Sequence, residues 1–329
     1  MTEVDLKGLL DAADRHVADE LESMPEVEDV GSDLDIASLP VDDARIWYRL
    51  REAAAVVFDL KGSTRFGLNQ RARSTASIYE AATGNAAMIL DEFEADFIAI
   101  QGDGGFGLFW GEGRRRRAVC AGITLQTFGA DSLSPRLAKK WNTLPETGMK
   151  VGIAHSPLLV KRVGIPGDDS HEPVWAGRAV NYAAKCAQQA DRGQMLVTGT
   201  LWEWISGNDY LAASCDCGTP STDIWQDATI HKIPEEGVGE GEREGKVLTS
   251  KWCVEHGAEY CAAVLSGKYS RPNVTSLVRA ATAIEYKSAV REGARIAREA
   301  ARNKDSFAAA RERRMRDQRA FRAGKRNFG

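Results

Sequence analysis

The sequence has no run approaching the ~18 consecutive apolar residues of a bilayer-spanning helix, so no membrane association is expected. Its start, MTEVDLKGLLDAADRHVADELESM, lacks the basic and then apolar segments of a secretory signal, and a cytoplasmic location follows as the expectation. Cysteine is sparse. Six in 329 residues do not read as a disulfide framework, which fits a reducing compartment. An excess of positive charge is also missing: 43 Lys and Arg stand against 47 Asp and Glu, a net of −4. A general basic grip on nucleic acid is therefore excluded as the main theme. There is no internal repeat. With 43% hydrophobic and 27% charged residues, the chain has the composition of a soluble protein with a sizeable core.

The apolar pattern divides the chain into four parts. Residues 1–50 read as a helical N-terminal extension, with Leu6, Leu9, Leu10, Val17 and Leu21 near helical spacing. Residues 51–213 alternate strands and helices. Residues 54–60 read as a buried strand, 67–92 and about 114–130 as helices, and FIAI and FGLFW as a hairpin around QGDGG. MKVGIAHSPLLVKRVG (149–164) reads as a second hairpin, 179–190 as a helix and 194–201 as strand-like. Residues 214–274 are rich in turns and hold four cysteines, and 275–329 read as a helical tail whose last 29 residues carry a net charge of +7. The expected fold class is α/β (α+β), with a mainly antiparallel sheet flanked by helices.

Two segments suggest chemistry. In Asp59-Leu60-Lys61-Gly62-Ser63-Thr64 a strand ends in a carboxylate and a glycine turn follows, whose backbone N–H groups can cradle phosphates. In Gly102-Asp103, 44 residues on from Asp59, a second carboxylate sits in a hairpin tip. Each alone is an ordinary turn. Together, two carboxylates beside a phosphate-binding turn suit a two-metal site for phosphoryl or nucleotidyl transfer.

At this point the sequence resembles the class III nucleotide cyclases, the adenylate and guanylate cyclase family. The resemblance rests on Asp59–Thr64, on Gly102-Asp103, on Gly177-Arg178-Ala179-Val180-Asn181-Tyr182-Ala183-Ala184-Lys185, and on Lys150-Val151-Gly152-Ile153-Ala154-His155, in that family's order and spacing over about 52–205. It implies a ferredoxin-like core with helical extensions, and two Mg²⁺ or Mn²⁺ ions per active site held at Asp59, Asp103 and Leu60. It further implies that Lys61, Gly62, Ser63, Thr64 and Gly102 line the nucleotide site. Asn181 would orient the ribose of a nucleoside triphosphate. Lys185 stands where the family usually has an arginine at the transferring phosphorus, with Arg178 nearby as the alternative for that role. The active form implied is a homodimer with composite sites, the metal residues coming from one protomer and the base, Asn and basic residues from the other.

The base-reading positions depart from the purine pattern. Where purine cyclases carry polar residues this chain has Ala99 and Val174, or Pro173 if the alignment shifts by one, whose side chains cannot hydrogen-bond a purine. An inactive scaffold that binds nucleotide, an unusual purine cyclase and a cyclase for another base all remain. The combination is most similar to the bacterial pyrimidine cyclases of antiphage defence. It implies UTP before CTP as substrate, cyclic UMP as product and a separate effector protein that binds it.

Three features lie outside this pattern. Cys215, Cys217, Cys253, His256 and Cys261 offer five ligands where a structural Zn²⁺ needs four, with buried structural thiols as the alternative. Arg114–Arg117 reads as a solvated first helical turn, and His155 as a packed strand residue.

Overall fold

A computed structural model describes residues 4–40, 45–65, 72–141, 146–164, 171–215, 217, 223–234, 240–272 and 274. The chain forms two compact units, Met1–Gly193 and Gln194–Gly329. The expected tail helix at 275–329 lies outside the described residues.

The first unit runs α1 (Leu6–Glu22), β1 (Glu26–Val30), β2 (Ile46–Leu60), α2 (Ala72–Tyr79), α3 (Asn85–Glu92), β3 (Phe97–Gln101), β4 (Gly104–Phe109), α4 (Arg114–Phe128), α5 (Ser134–Lys140), β5 (Met149–Gly164), β6 (His171–Gly177) and α6 (Arg178–Gln189). Its strand order is β3-β4-β2-β5, with every neighbour in that series antiparallel. β1 lies parallel beside the first half of β2, and β6 antiparallel beside the second half of β5. The sheet is thus mainly antiparallel and flanked by helices, as the sequence suggested.

Alternation along β5 separates the two helical layers, because successive side chains point to opposite faces. A Cβ on Gly129, just past α4, would touch Met149, and Arg115 of α4 reaches His155, so α4 covers the face of Met149, Val151, Ile153 and His155. A Cβ on Gly152 would fall 2.1 Å from the Ala183 carbonyl and 2.3 Å from the Ala187 nitrogen. Only glycine lets α6 lie this close to the opposite face. The buried stripe of α6, Ala179, Tyr182, Ala183, Cys186 and Ala187, packs there.

Three local readings change. Residues 149–164 form one strand rather than a hairpin. The Ser156-Pro157 step resembles a turn, but it lies where β2 carries an extra residue between Leu50 and Ala53, so the missing proline N–H leaves no ladder bond unmade. The N-terminal extension contains β1 as well as a helix, and α1 buries none of its residues. The arginines of α4 are clamps rather than a solvated turn. Arg114 pairs with Glu52 at the β2 bulge, Arg117 with Asp96 at 3.2 Å, and Arg117 also donates to the Trp110 carbonyl at 2.5 Å.

The second unit runs β7 (Gln194–Val197), α7 (Gly199–Ile205), α8 (Asp209–Ala212), β8 (Trp225–Thr229), α9 (Glu240–Arg243), β9 (Glu244–Leu248) and α10 (Gly257–Leu265). β9 pairs antiparallel with both β7 and β8. The Trp202 and Trp225 rings pack in a tilted arrangement with centroids 5.4 Å apart. Arg271 is 2% exposed and donates to the Ala213 and Ser214 carbonyls at 3.3 and 2.7 Å.

Candidate active site

The strand register places the candidate residues of the first unit. Asp59 on β2 is the direct partner of Lys150 on β5, and the two side chains form an ion pair. On the other side β4 comes so close that a Cβ on Gly104 would fall 2.6 Å from the Phe58 carbonyl and 3.4 Å from an Asp59 carboxylate oxygen. Gly104 follows Asp103 directly. Gly102-Asp103 is a two-residue turn between Gln101 and Gly104, with Gly102 at φ +64°, the positive φ that such tight hairpins need at their first central residue. The two aspartates, 44 residues apart, therefore stand at adjoining strand ends. Their hard carboxylate oxygens, with the Leu60 carbonyl next in the chain, suit Mg²⁺ or Mn²⁺, and the Lys150 ammonium already shows that a cation is accepted at Asp59.

The turn after β2 is held from behind. The Lys61 N–H donates to the Gly148 carbonyl at 3.0 Å, and the Thr147 hydroxyl to the Lys61 carbonyl at 2.6 Å. The Lys61 side chain pairs with Asp191. Gly62 has φ +79°, and Ser63 and Thr64 begin a short 3-10 turn.

Cross-strand partners share a face, so further rows can be read from Asp59. The next row is Ala99, Phe106, Val57 and Gly152. Ala99 thus shares the Asp59 face, with Phe106 beside it and Phe97 two residues away. Trp175 of β6 lies 5.1 Å from the Phe97 ring and 5.7 Å from Trp110, and its indole nitrogen is buried with no partner among the described residues. Its neighbour Val174 is exposed.

α6 carries the remaining candidates along β5. Gly177 packs on Leu158, and the Gly193 N–H bonds the Met149 carbonyl, so α6 runs along β5 from the Leu158 end toward the Met149 end. Asn181 lies before the Gly152 crossing, and Asp59, level with Lys150, lies beyond it. Arg178, Asn181 and Lys185 also form one helical stripe, opposite the buried one. Asn181 is exposed, and the Lys185 ammonium lies 5.3 Å from the Tyr182 ring centroid. Within one protomer Asp59 and Asp103 stand at adjoining strand ends, and Arg178, Asn181 and Lys185 lie on the stripe of α6 opposite its buried face.

Sequence reasoning missed Lys150 as a site residue, along with the aromatic wall of Phe97, Phe106 and Trp175. Lys150 stood in a quoted motif, but its role depends on the β2–β5 register. In the second unit Cys215, Cys217, Cys253 and His256 converge, whereas Cys261, on α10, is not part of that group.

A comparison with protein-family models finds no match. The chain is 62% identical over 294 residues to a uridylate cyclase from Micromonospora echinofusca, covering 89% of this chain and 95% of that protein. It is 45% identical over 278 residues to a uridylate cyclase from Propioniciclava tarda, covering 83% and 88%. Among solved structures, the adenylyl cyclase CyaB from P. aeruginosa aligns with 61% of this chain and 93% of its own at 17% identity and a TM-score of 0.47.

Proposed function

The chain belongs to the family of these uridylate cyclases and is a nucleotide cyclase, and we propose that it converts UTP to cyclic UMP and pyrophosphate at sites shared between two protomers. In this reaction the ribose 3′-oxygen bonds to the α-phosphorus and loses its proton. The bond from that phosphorus to the oxygen bridging to the β-phosphate breaks, and pyrophosphate leaves. Asp59, Asp103 and the Leu60 carbonyl would hold two Mg²⁺ or Mn²⁺ ions, which supply charge neutralisation and lower the pKa of an attacking hydroxyl. Lys150, now resting on Asp59, would turn its ammonium to the triphosphate. Gly62, Ser63, Thr64 and Gly102 would present backbone N–H groups to the phosphates. Lys61, committed to Asp191, would act through its backbone alone.

The orientation of α6 carries the shared-site reading. Asn181, Lys185 and Arg178 lie on the stripe of α6 opposite the one packed on their own sheet, which supports a second protomer in head-to-tail contact supplying them: Asn181 to orient the ribose, Lys185 and Arg178 to stabilise charge on the phosphorus. The apolar pair Ala99 and Val174 removes the polar groups that would read a purine. The neighbouring aromatic rings offer a stacking wall for the smaller pyrimidine. The cyclic nucleotide would then act as a second messenger on a separate effector, in antiphage defence.

The test supplies each of the four ribonucleoside triphosphates separately with Mn²⁺ and reads cyclic products by mass spectrometry. UTP should be converted with the highest kcat/KM and CTP next. An Ala99→Lys variant should lower UTP turnover, because a bulky ammonium would occupy the half-buried position beside Phe106 where the base is proposed to lie. Higher catalytic efficiency on ATP or GTP than on both pyrimidines would overturn the substrate assignment.

A further inference from the structure

The second unit brings three cysteines and a histidine from two distant segments into one cluster. The Cys217 sulfur lies 3.4 Å from that of Cys215, 3.4 Å from that of Cys253 and 3.1 Å from Nδ1 of His256. Cys253 Sγ lies 3.8 Å from the same nitrogen, and all four ligand atoms fall within 4.8 Å of one another. These separations are too long for disulfide bonds, whose sulfurs sit about 2.05 Å apart. They are close to the edges of a tetrahedron built on one centre: Zn–S bonds of about 2.3 Å and a Zn–N bond of about 2.0–2.1 Å give edges of roughly 3.6–3.8 Å.

From this convergence we propose that Cys215, Cys217, Cys253 and His256 bind one structural Zn²⁺. Three thiolates and an imidazole are soft and borderline ligands that select zinc over Mg²⁺ or Mn²⁺. Four protein ligands close the tetrahedron and leave no position for substrate, so the role is structural. Cys253 and His256 precede α10 directly, where the positive end of the helix favours thiolate charge. The buried packing of thiols expected for a small subdomain does not describe this group, since Cys217 is exposed and Cys215 and Cys253 are half-buried.

The zinc would fasten the segment after α8 to the start of α10. The chain between Cys217 and Cys253 contains the β8–β9 hairpin, and closing that loop removes freedom from the unfolded chain. The same two elements are already held together by side chains. Arg271 binds the Ala213 and Ser214 carbonyls with its guanidinium 4.7 Å from the Tyr260 ring centroid, and Tyr260 meets Tyr210 of α8 edge-on at 5.3 Å. The metal completes a junction that the protein side chains begin.

The experiment measures metal in the full-length protein, purified from zinc-containing medium without chelator, by inductively coupled plasma mass spectrometry. About one zinc per chain is expected. Cys217→Ser and Cys253→Ser should each lose most of it, Cys261→Ser should keep it, and His256→Cys should keep it as a four-thiolate site. If the serine variants fail to fold, the wild type decides. After exchange into Co²⁺ it should show the intense visible bands of tetrahedral cobalt and a thiolate-to-cobalt charge-transfer band. Wild-type protein that holds no zinc and gives only the weak spectrum of octahedral cobalt would overturn the proposal. So would iron in place of zinc, or loss of zinc from Cys261→Ser to the same extent as from Cys217→Ser.

Discussion

Asp59 and Lys150 stand opposite each other in the β2–β5 ladder and pair through their side chains. The candidate metal-binding carboxylate is thus held by the strand that runs beside it. Charge-assisted hydrogen bonds contribute about 1.5–3 kcal/mol. Lys150→Met should therefore lower kcat/KM for the triphosphate roughly tenfold to a hundredfold, and Lys150→Arg should keep most of it. Steady-state kinetics with both variants checks this. Equal losses in the two would show that charge at this position is not what matters.

Asp59→Ala and Asp103→Ala should each reduce cyclisation by about a hundredfold or more, the scale seen when one group that stabilises developing charge is removed. Circular dichroism should remain that of the wild type, since neither carboxylate is buried in the core. Turnover near wild type in either variant, with divalent metal still required, would end the two-carboxylate assignment.

Neither Asp59→Ala nor Asn181→Ala alone should cyclise UTP at an appreciable rate. Mixed so that protomers exchange, they should regain part of the activity, because one of the two shared sites would be intact. Native mass spectrometry can establish the mixed dimer. A mixed dimer with no recovered activity would count against the shared site.

Gly152→Ala should destabilise the protein by about 1–3 kcal/mol or more, because its Cβ would meet the backbone of α6 at Ala183 and Ala187. Each kcal/mol lowers Tm by roughly 2–4 °C in a protein of this size. Calorimetry reads the shift. An unchanged Tm would mean that α6 does not lie where Gly152 permits.

His155 accepts a hydrogen bond from Arg115 at 3.1 Å, and burial, then the Arg115 and Arg114 charges, push its pKa down to about 4. The unfolded chain protonates this group near 6.5. Between those values the unfolded state binds more protons, so stability rises with pH. The neutral imidazole's contribution is full above about pH 6.5 and is lost as pH falls toward 4. His155→Gln should flatten the loss over that window by up to about 3 kcal/mol. Denaturant unfolding from pH 7 to 4 measures the difference, and identical slopes for both proteins would refute it.

The local chemistry was legible in the sequence. The carboxylate-glycine segment at Asp59, the Gly102-Asp103 turn, the hairpin around it and the helix carrying Asn181 and Lys185 depend on short spacings, which the chain writes out directly. Where the pattern had two readings, the sequence pointed to the wrong one. Ser156-Pro157 looks like a turn until the bulge of β2 is seen opposite it, and four consecutive arginines look solvated until Glu52, Asp96 and the Trp110 carbonyl are placed around them.

By itself, then, the sequence determined which residues are the candidates for chemistry and in what order they stand, because side-chain type and turn geometry are local properties. Tertiary structure decided what those residues face. Register set Lys150 against Asp59, glycine at 152 set α6 tightly on the sheet with Asn181 and Lys185 turned outward, and long-range packing drew Cys215 and Cys217 to Cys253 and His256 while leaving Cys261 aside. Such pairings join positions tens of residues apart, and whether they form depends on the packing of everything between them.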